Sequence, residues 1–263
     1  MAEHKNLFIM CSDGNIEEVR KALAKGGNPN KKWKVESFDS TMTAMTALHI
    51  AVIRGHKEVV ALLLEQNGID LNAEDSKGLT ALHTACDRGH QQVVALLLEQ
   101  NGIDLNAADK DGTTALYTAS AWGYTEVVAL LLAQPGILVN AATTSGDTAL
   151  RIATDRRRRD VVALLLEQPG ILVNAANSHG WTVLHIACLE NVFGPDILRR
   201  LLYNVDTDPN VKDEDGITAI MLLLERDQNM DIQGDCLRAM VESEKVDLEV
   251  KDQEERGLEE IAR

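Results

Sequence analysis

The segment Val59-Val60-Ala61-Leu62-Leu63-Leu64-Glu65-Gln66 returns intact at 93–100, with one change at 127–134, and intact again at 161–168. The starting positions 59, 93, 127 and 161 differ by 34 each time, and Thr46, Thr80, Thr114 and Thr148 keep the same step. A fixed period of this length is the signature of a stacked solenoid. One such unit is too short to enclose a core, so each copy must bury its apolar face against its neighbours. The surface left outside is long and continuous, which suits a chain whose business is binding.

One unit, residues 75–108, shows how the pattern becomes structure. Asp75-Ser76-Lys77-Gly78 carries turn chemistry. Thr80 is placed to cap a helix beginning at Ala81, on which Leu82, Ala85 and Cys86 form a narrow apolar stripe. Small residues there allow a close neighbour. Gly89-His90 breaks this helix, and Val93, Val94, Leu96, Leu97 and Leu98 begin a second one that is apolar on most of its circumference. A helix of that kind must be buried on more than one side. Asn101-Gly102 is expected to end it, with Pro135 and Pro169 imposing the same stop in later copies, and Ile103 to Asp109 returns as an extended finger.

The order Asp-x-x-Gly-x-Thr-Ala-Leu-His-x-Ala, then Gly-His, Val-Val-x-Leu-Leu-Leu, Gly and a closing Asn resembles the ankyrin repeat. The resemblance implies an all-α solenoid of antiparallel helix pairs, with β-hairpin fingers and a concave binding face. Its units fall at about 6–44, 45–78, 79–112, 113–146, 147–180, 181–216 and 217–257, read as one domain over 1–263. Residues 258–263 resemble the opening of a truncated repeat or a cap, so the natural protein is expected to continue. Alanine or valine replaces the proline usual after the threonine, as at Ala47, Ala81 and Val183, which removes a preorganised first helical residue.

Composition narrows the partner. A formal net charge of -15 disfavours a nucleic-acid backbone and favours a neutral or basic protein. Cys11, Cys86, Cys188 and Cys236 lack CxxC spacing and read as small apolar residues of a reduced protein, expected in the cytoplasm or the nucleus. Met1 to Lys5 is followed by no apolar run resembling a secretory signal and no 18-residue apolar stretch occurs, so no membrane insertion is expected, and the chain reads as a monomer.

His49, His83 and His185 invite a metal or catalytic reading, but they occupy one equivalent place in different units, filled elsewhere by Tyr117, Arg151 and Met221. Packed helices sit about 10 Å apart, too far for these rings to share a zinc at about 2 Å per ligand. A structural hydrogen-bonding role fits them, and His56 and His90 as well. The sequence holds no nucleophile motif, phosphate-cradling glycine loop or HExxH, and it suggests no enzyme and no cofactor.

The resemblance places recognition on finger tips and on the exposed end of each first helix. Mapped onto this chain, those places include Lys77, Leu79, Asp87, Arg88, Trp122, Asp155, Arg156, His179 and Trp181. In a chain only 3% aromatic, Trp122 and Trp181 either anchor a partner or pack against a neighbouring finger. The run Arg156 to Arg159 either grips an anion or is a solvated turn. An enlarged first finger near 31–44, with Trp33 and Phe38, either carries function or covers the first unit's flank. Asn72 and Asn106 close Leu-x5-Asp-Leu-Asn segments that resemble sites of an iron- and 2-oxoglutarate-dependent asparaginyl hydroxylase. The function expected is that of a non-enzymatic adaptor or scaffold. The alternatives are the targeting module of a larger enzyme and a direct protein inhibitor of one.

Overall fold

Each regular repeat begins where a threonine leaves the extended region and caps a short helix. Thr46 lies at φ -86°, ψ 172°, and its hydroxyl accepts from the His49 N–H. The His49 ring reaches back to the Thr46 N–H, forming a capping box that Thr80 and His83 repeat. The computed structural model of the protein describes residues 6–36, 42–190, 195–224, 230–243, 245–247, 249 and 251.

The helices run in pairs along the chain: α1 (Leu7–Asp13) and α2 (Ile16–Ala24), α3 (Ala47–Ile53) and α4 (Lys57–Leu64), α5 (Ala81–Asp87) and α6 (Gln91–Leu98), α7 (Ala115–Trp122) and α8 (Thr125–Leu132). They continue with α9 (Ala149–Asp155) and α10 (Arg159–Leu166), α11 (Val183–Glu190) and α12 (Pro195–Tyr203), α13 (Ala219–Leu224) and α14 (Met230–Glu242). The chain forms two units, residues 1–119 with 126–138, and residues 120–125 with 139–263.

In the first unit α1 packs on α3 and α3 on α5, while α2 packs on α4 and α4 on α6. The apolar stripes meet there. Leu48, Leu82 and Leu116 on the first helices, and Leu63, Leu97 and Leu131 on the second, are fully buried. In the second unit α9 packs on α11 and α11 on α13, with α10 on α12 and α12 on α14. Leu150, Leu165, Leu184, Leu198 and Leu201 fill it. Burying a leucine contributes about 2 kcal/mol, and alanines such as Ala81, Ala85, Ala149 and Ala153 let the helices approach closely.

The second helices end earlier than the sequence suggests. α6 stops at Leu98, where the Glu99 N–H bonds back to Ala95 and Leu97. Gly102, at φ 89°, belongs to the turn beyond, and Pro135 and Pro169 likewise lie past Leu132 and Leu166. The glutamines do the finishing: Gln66, Gln100, Gln134 and Gln168 each donate to the carbonyl four residues back. A side chain therefore occupies an orphan helix carbonyl that a left-handed glycine cap would otherwise serve.

The fingers are mostly turns. Only the first contains paired strands among the described residues, β1 (Trp33–Glu36) against β2 (Met42–Met45), antiparallel with Trp33 opposite Met45. Single bridges join Ala108 to Thr114, Ala142 to Thr148 and Lys212 to Thr218. A side-chain acceptor at the base of the loop, an acid or amide in four fingers and the Thr143 hydroxyl in another, replaces the ladder. The Asp75 carboxylate accepts from the Lys77 and Leu79 N–H groups, and Asp109, Asn177 and Asp213 do the same in their loops. Neighbouring tips touch closely: a Cβ at Gly146, φ 82°, would meet the Asn177 Cα at 2.9 Å.

A second column runs along the loops after the second helices. The Asn30 amide donates to the Gly68 carbonyl at 2.7 Å, and its oxygen accepts from the Asp70 N–H at 2.9 Å. Asn72 and Asn106 repeat both bonds in the first unit, and Asn140, Asn174 and Asn210 repeat them in the second.

Candidate functional site

In the first unit the finger bearing Lys77 and Leu79 and the end of α5, with Asp87 and its cap Arg88, face one groove of about 200 Å³. Met45, Ile53 and Leu79 give it apolar walls, and Asp75, His83, Thr84 and Thr118 add polar ones. Two things position the finger. The Leu79 N–H is held by Asp75 at 3.0 Å, and its carbonyl accepts from the His49 ring at 3.0 Å. Asp87 and Arg88 form an ion pair at 3.4 Å with side chains 43% and 41% exposed, so the pair is solvent-screened. Four of the residues read from the sequence are thus brought together.

The remaining five lie in the second unit. Trp122 is 52% exposed at the end of α7. Asp155 and Arg156 hold the equivalent place at the end of α9, 3.8 Å apart and exposed. His179 and Trp181 sit on a finger. The Trp181 indole N–H donates to the Asp213 carboxylate at 3.1 Å, and the His179 ring lies 3.7 Å from Glu214. Trp181 therefore packs against its neighbouring finger, one of the two roles its sequence position allows. The Arg158 Nε donates to the Ala121 carbonyl at 3.0 Å, in the place where the His56 ring meets the Ser12 carbonyl at 3.0 Å.

The histidines after each threonine are structural. His49, His83 and His185 each reach the carbonyl of the next finger, Leu79, Thr113 or Ile217, at 3.0, 3.0 and 3.1 Å. A carbonyl only accepts, so Nε2 carries the proton and Nδ1 faces the cap threonine. Burial lowers the pKa of all three below the ordinary value, which keeps the rings neutral. His90 departs from this expectation, since its buried Nε2 has no hydrogen-bond partner. Arg151, standing in the histidine's place, pairs with Asp147.

All four cysteines are buried thiols. Burial pushes Cys11 up to about 12 and raises Cys86, Cys188 and Cys236 as well, so none is a ready nucleophile. Among the described residues no group of three or more His, Cys, Asp or Glu side chains is arranged to hold a metal ion. No helix there is long and apolar enough to cross a membrane. Trp33 lies over Phe8, ring centroids 5.5 Å apart, so this part of the enlarged finger covers the first helix pair; Phe38 lies outside the described residues.

Sequence reasoning missed Thr43, Met45 and Asp75 as groove residues, although Asp75 heads the repeated Asp-x-x-Gly turn. It also missed two exposed leucines. Leu138, 59% exposed in the first unit, and Leu172, 58% exposed in the second, stand where Asp70 and Asp104 close their turns. The period itself carried that signal.

The family described as ankyrin repeats (3 copies) matches residues 3–75, 72–143, 104–177 and 137–213. The chain belongs to the ankyrin-repeat family, whose repeats are protein–protein interaction modules. The ankyrin repeat domain of Bcl-3, described as a unique member of the IkappaB protein family, superposes with a TM-score of 0.72 at 28% identity. That superposition covers 90% of this chain and all of that one. Acyl-CoA-binding domain-containing protein 6 of Danio rerio is 42% identical over 65 residues, 25% of this chain and 19% of that protein's length.

Proposed function

We propose that this chain is a non-enzymatic adaptor, in the cytoplasm or the nucleus, that binds a neutral or basic partner protein on its finger and first-helix surface. The groove between Leu79 and Arg88 carries the reading. At about 200 Å³ it is smaller than the roughly 300–1,000 Å³ of small-molecule sites, and it suits one side chain of a protein partner. Leu79, Met45 and Ile53 offer that side chain apolar contact, while Asp75, Lys77, Asp87 and Arg88 supply charge. Four buried free thiols accord with a reducing compartment.

Affinity purification from the cells of origin, followed by mass spectrometry, tests it with wild type, Leu79→Asp and Arg88→Ala. The partner is retained by wild type and lost from both variants, while helical circular dichroism is unchanged. Equal recovery of every partner by folded variants would remove the groove from the binding surface.

A further inference from the structure

The turn between the two helices of a repeat can be compared across the four regular repeats, 45–78 to 147–180. It reads Arg54-Gly55-His56-Lys57, Arg88-Gly89-His90-Gln91, Trp122-Gly123-Tyr124-Thr125 and Arg156-Arg157-Arg158-Arg159. The backbone does not change with the sequence. Gly55, Gly89 and Gly123 lie at φ 70°, 65° and 80°, and Arg157 lies at φ 63°. Among the described residues Arg157 is the sole non-glycine with positive φ. A Cβ is disfavoured there, so the fourth turn carries a strain that glycine removes.

Arg158 is held by packing, and Arg156 pairs with Asp155 at 3.8 Å. Arg158 lays its stem against Gly123, where a Cβ would meet its Cδ at 2.6 Å, and it bonds to Ala121 as His56 bonds to Ser12. Arg156, Arg157 and Arg159 are exposed. Trp122, also exposed, holds the place at the end of α7 that Arg156 holds at the end of α9, and both belong to the second unit. Successive first helices place such residues about 10 Å apart. Residues 155–160 carry four arginines against Asp155 and Asp160, a local charge of +2 in a chain of net -15. Backbone strain at an exposed position points to function, and the function available to exposed guanidiniums beside an indole is recognition.

We infer that the 156–159 turn, with Trp122 beside it, docks a short acidic segment of a partner protein. Carboxylates of that segment pair with Arg156, Arg157 and Arg159, whose planar forks suit bidentate contact, and an apolar side chain of the segment lies on the indole. The negative charge on the rest of the chain repels a long polyanion, so a short acidic peptide fits where a nucleic-acid backbone does not. This contact rests on the reading that the chain binds proteins, and adds to the groove a second surface with its own chemistry.

Fluorescence anisotropy tests it with a labelled Glu-rich, Leu-containing peptide and its Gln analogue, at low and high salt. Wild type binds the Glu peptide about tenfold more tightly than the Gln peptide, and salt removes the difference. Arg156→Glu combined with Arg159→Glu loses that preference. Arg157→Gly, which relieves the strain and folds at least as well, weakens binding about threefold. Leu79→Asp leaves peptide binding unchanged. Equal binding of the two peptides by wild type, or undiminished binding by the folded charge-reversal variant, overturns the inference. If either occurs while Leu79→Asp still loses the natural partner, only this inference falls. Failure of Leu79→Asp to affect partner recovery would count against the groove alone.

Discussion

The Nε2 atom of His49 lies 3.0 Å from the carbonyl oxygen of Leu79, 30 residues along the chain. One ring thereby joins the cap of its own helix to the finger of the next repeat, because its Nδ1 also lies 2.8 Å from the Thr46 hydroxyl. His83 and His185 repeat the relationship. The fingers that present Leu79 and Lys77 are therefore positioned by buried imidazoles.

Substituting His83 with Ala orphans the buried Thr80 N–H and removes the donor to the Thr113 carbonyl. Losing these bonds, together with the ring's contact to the Thr80 hydroxyl, at a site 1% exposed should cost about 2–4 kcal/mol. Urea unfolding followed by circular dichroism measures it. A loss under about 0.5 kcal/mol would mean the ring does not hold the finger.

The same rings set a pH dependence. Their pKa values are lowered in the fold by burial, whereas in the unfolded chain they titrate near 6.5. Below about 6.5 the unfolded chain takes up protons that the folded chain refuses, so stability is complete above this pH and declines as pH falls towards the folded values. Each ring contributes at most about 1.4 kcal/mol per pH unit in that window. Urea midpoints that stay level between about pH 7.5 and 5.5 would contradict this.

Much of this architecture is legible in the sequence because the period multiplies each local signal. Thr80, Ala81, Leu82 and Gly89 do what turn and cap chemistry assigns them. The end of α6 is not legible, because the Gln100 side chain and a Glu99 cap compete with Gly102 and win. The groove is only partly legible: Thr43, Asp75 and Thr118 meet through folding, from three different repeats. Trp181 and Arg158 look alike as unusual residues in a repeat, yet each proves to be tied to a neighbour by one hydrogen bond. No periodicity argument supplies that partner.

Ser120 occupies the place of Cys86 and Cys188, fully buried, and its hydroxyl oxygen has no hydrogen-bond partner. An unsatisfied buried hydroxyl costs about 1–3 kcal/mol, and replacing it with an apolar group removes that cost at the expense of a small void. Ser120→Ala should therefore stabilise the protein by about 1 kcal/mol. A lower thermal midpoint for the variant would show that the hydroxyl has a partner after all.

The asparagine column gives the last test. The Asn140 amide donates to the Gly170 carbonyl at 2.8 Å, and its oxygen accepts from the Leu172 N–H at 2.9 Å, so one side chain closes both polar groups of the neighbouring loop. Asp would keep the acceptor but lose the donor, and Ala would lose both. With each bond contributing about 0.5–1.5 kcal/mol, Asn140→Ala should cost about 1–3 kcal/mol and Asn140→Asp an intermediate amount. The order matters more than the size, because a merely space-filling asparagine would tolerate Asp, its near isostere, without loss. Hydrogen exchange at the Leu172 amide separates the two bonds: protection falls in the Ala variant and persists in the Asp variant, and equal protection in both would refute the assignment.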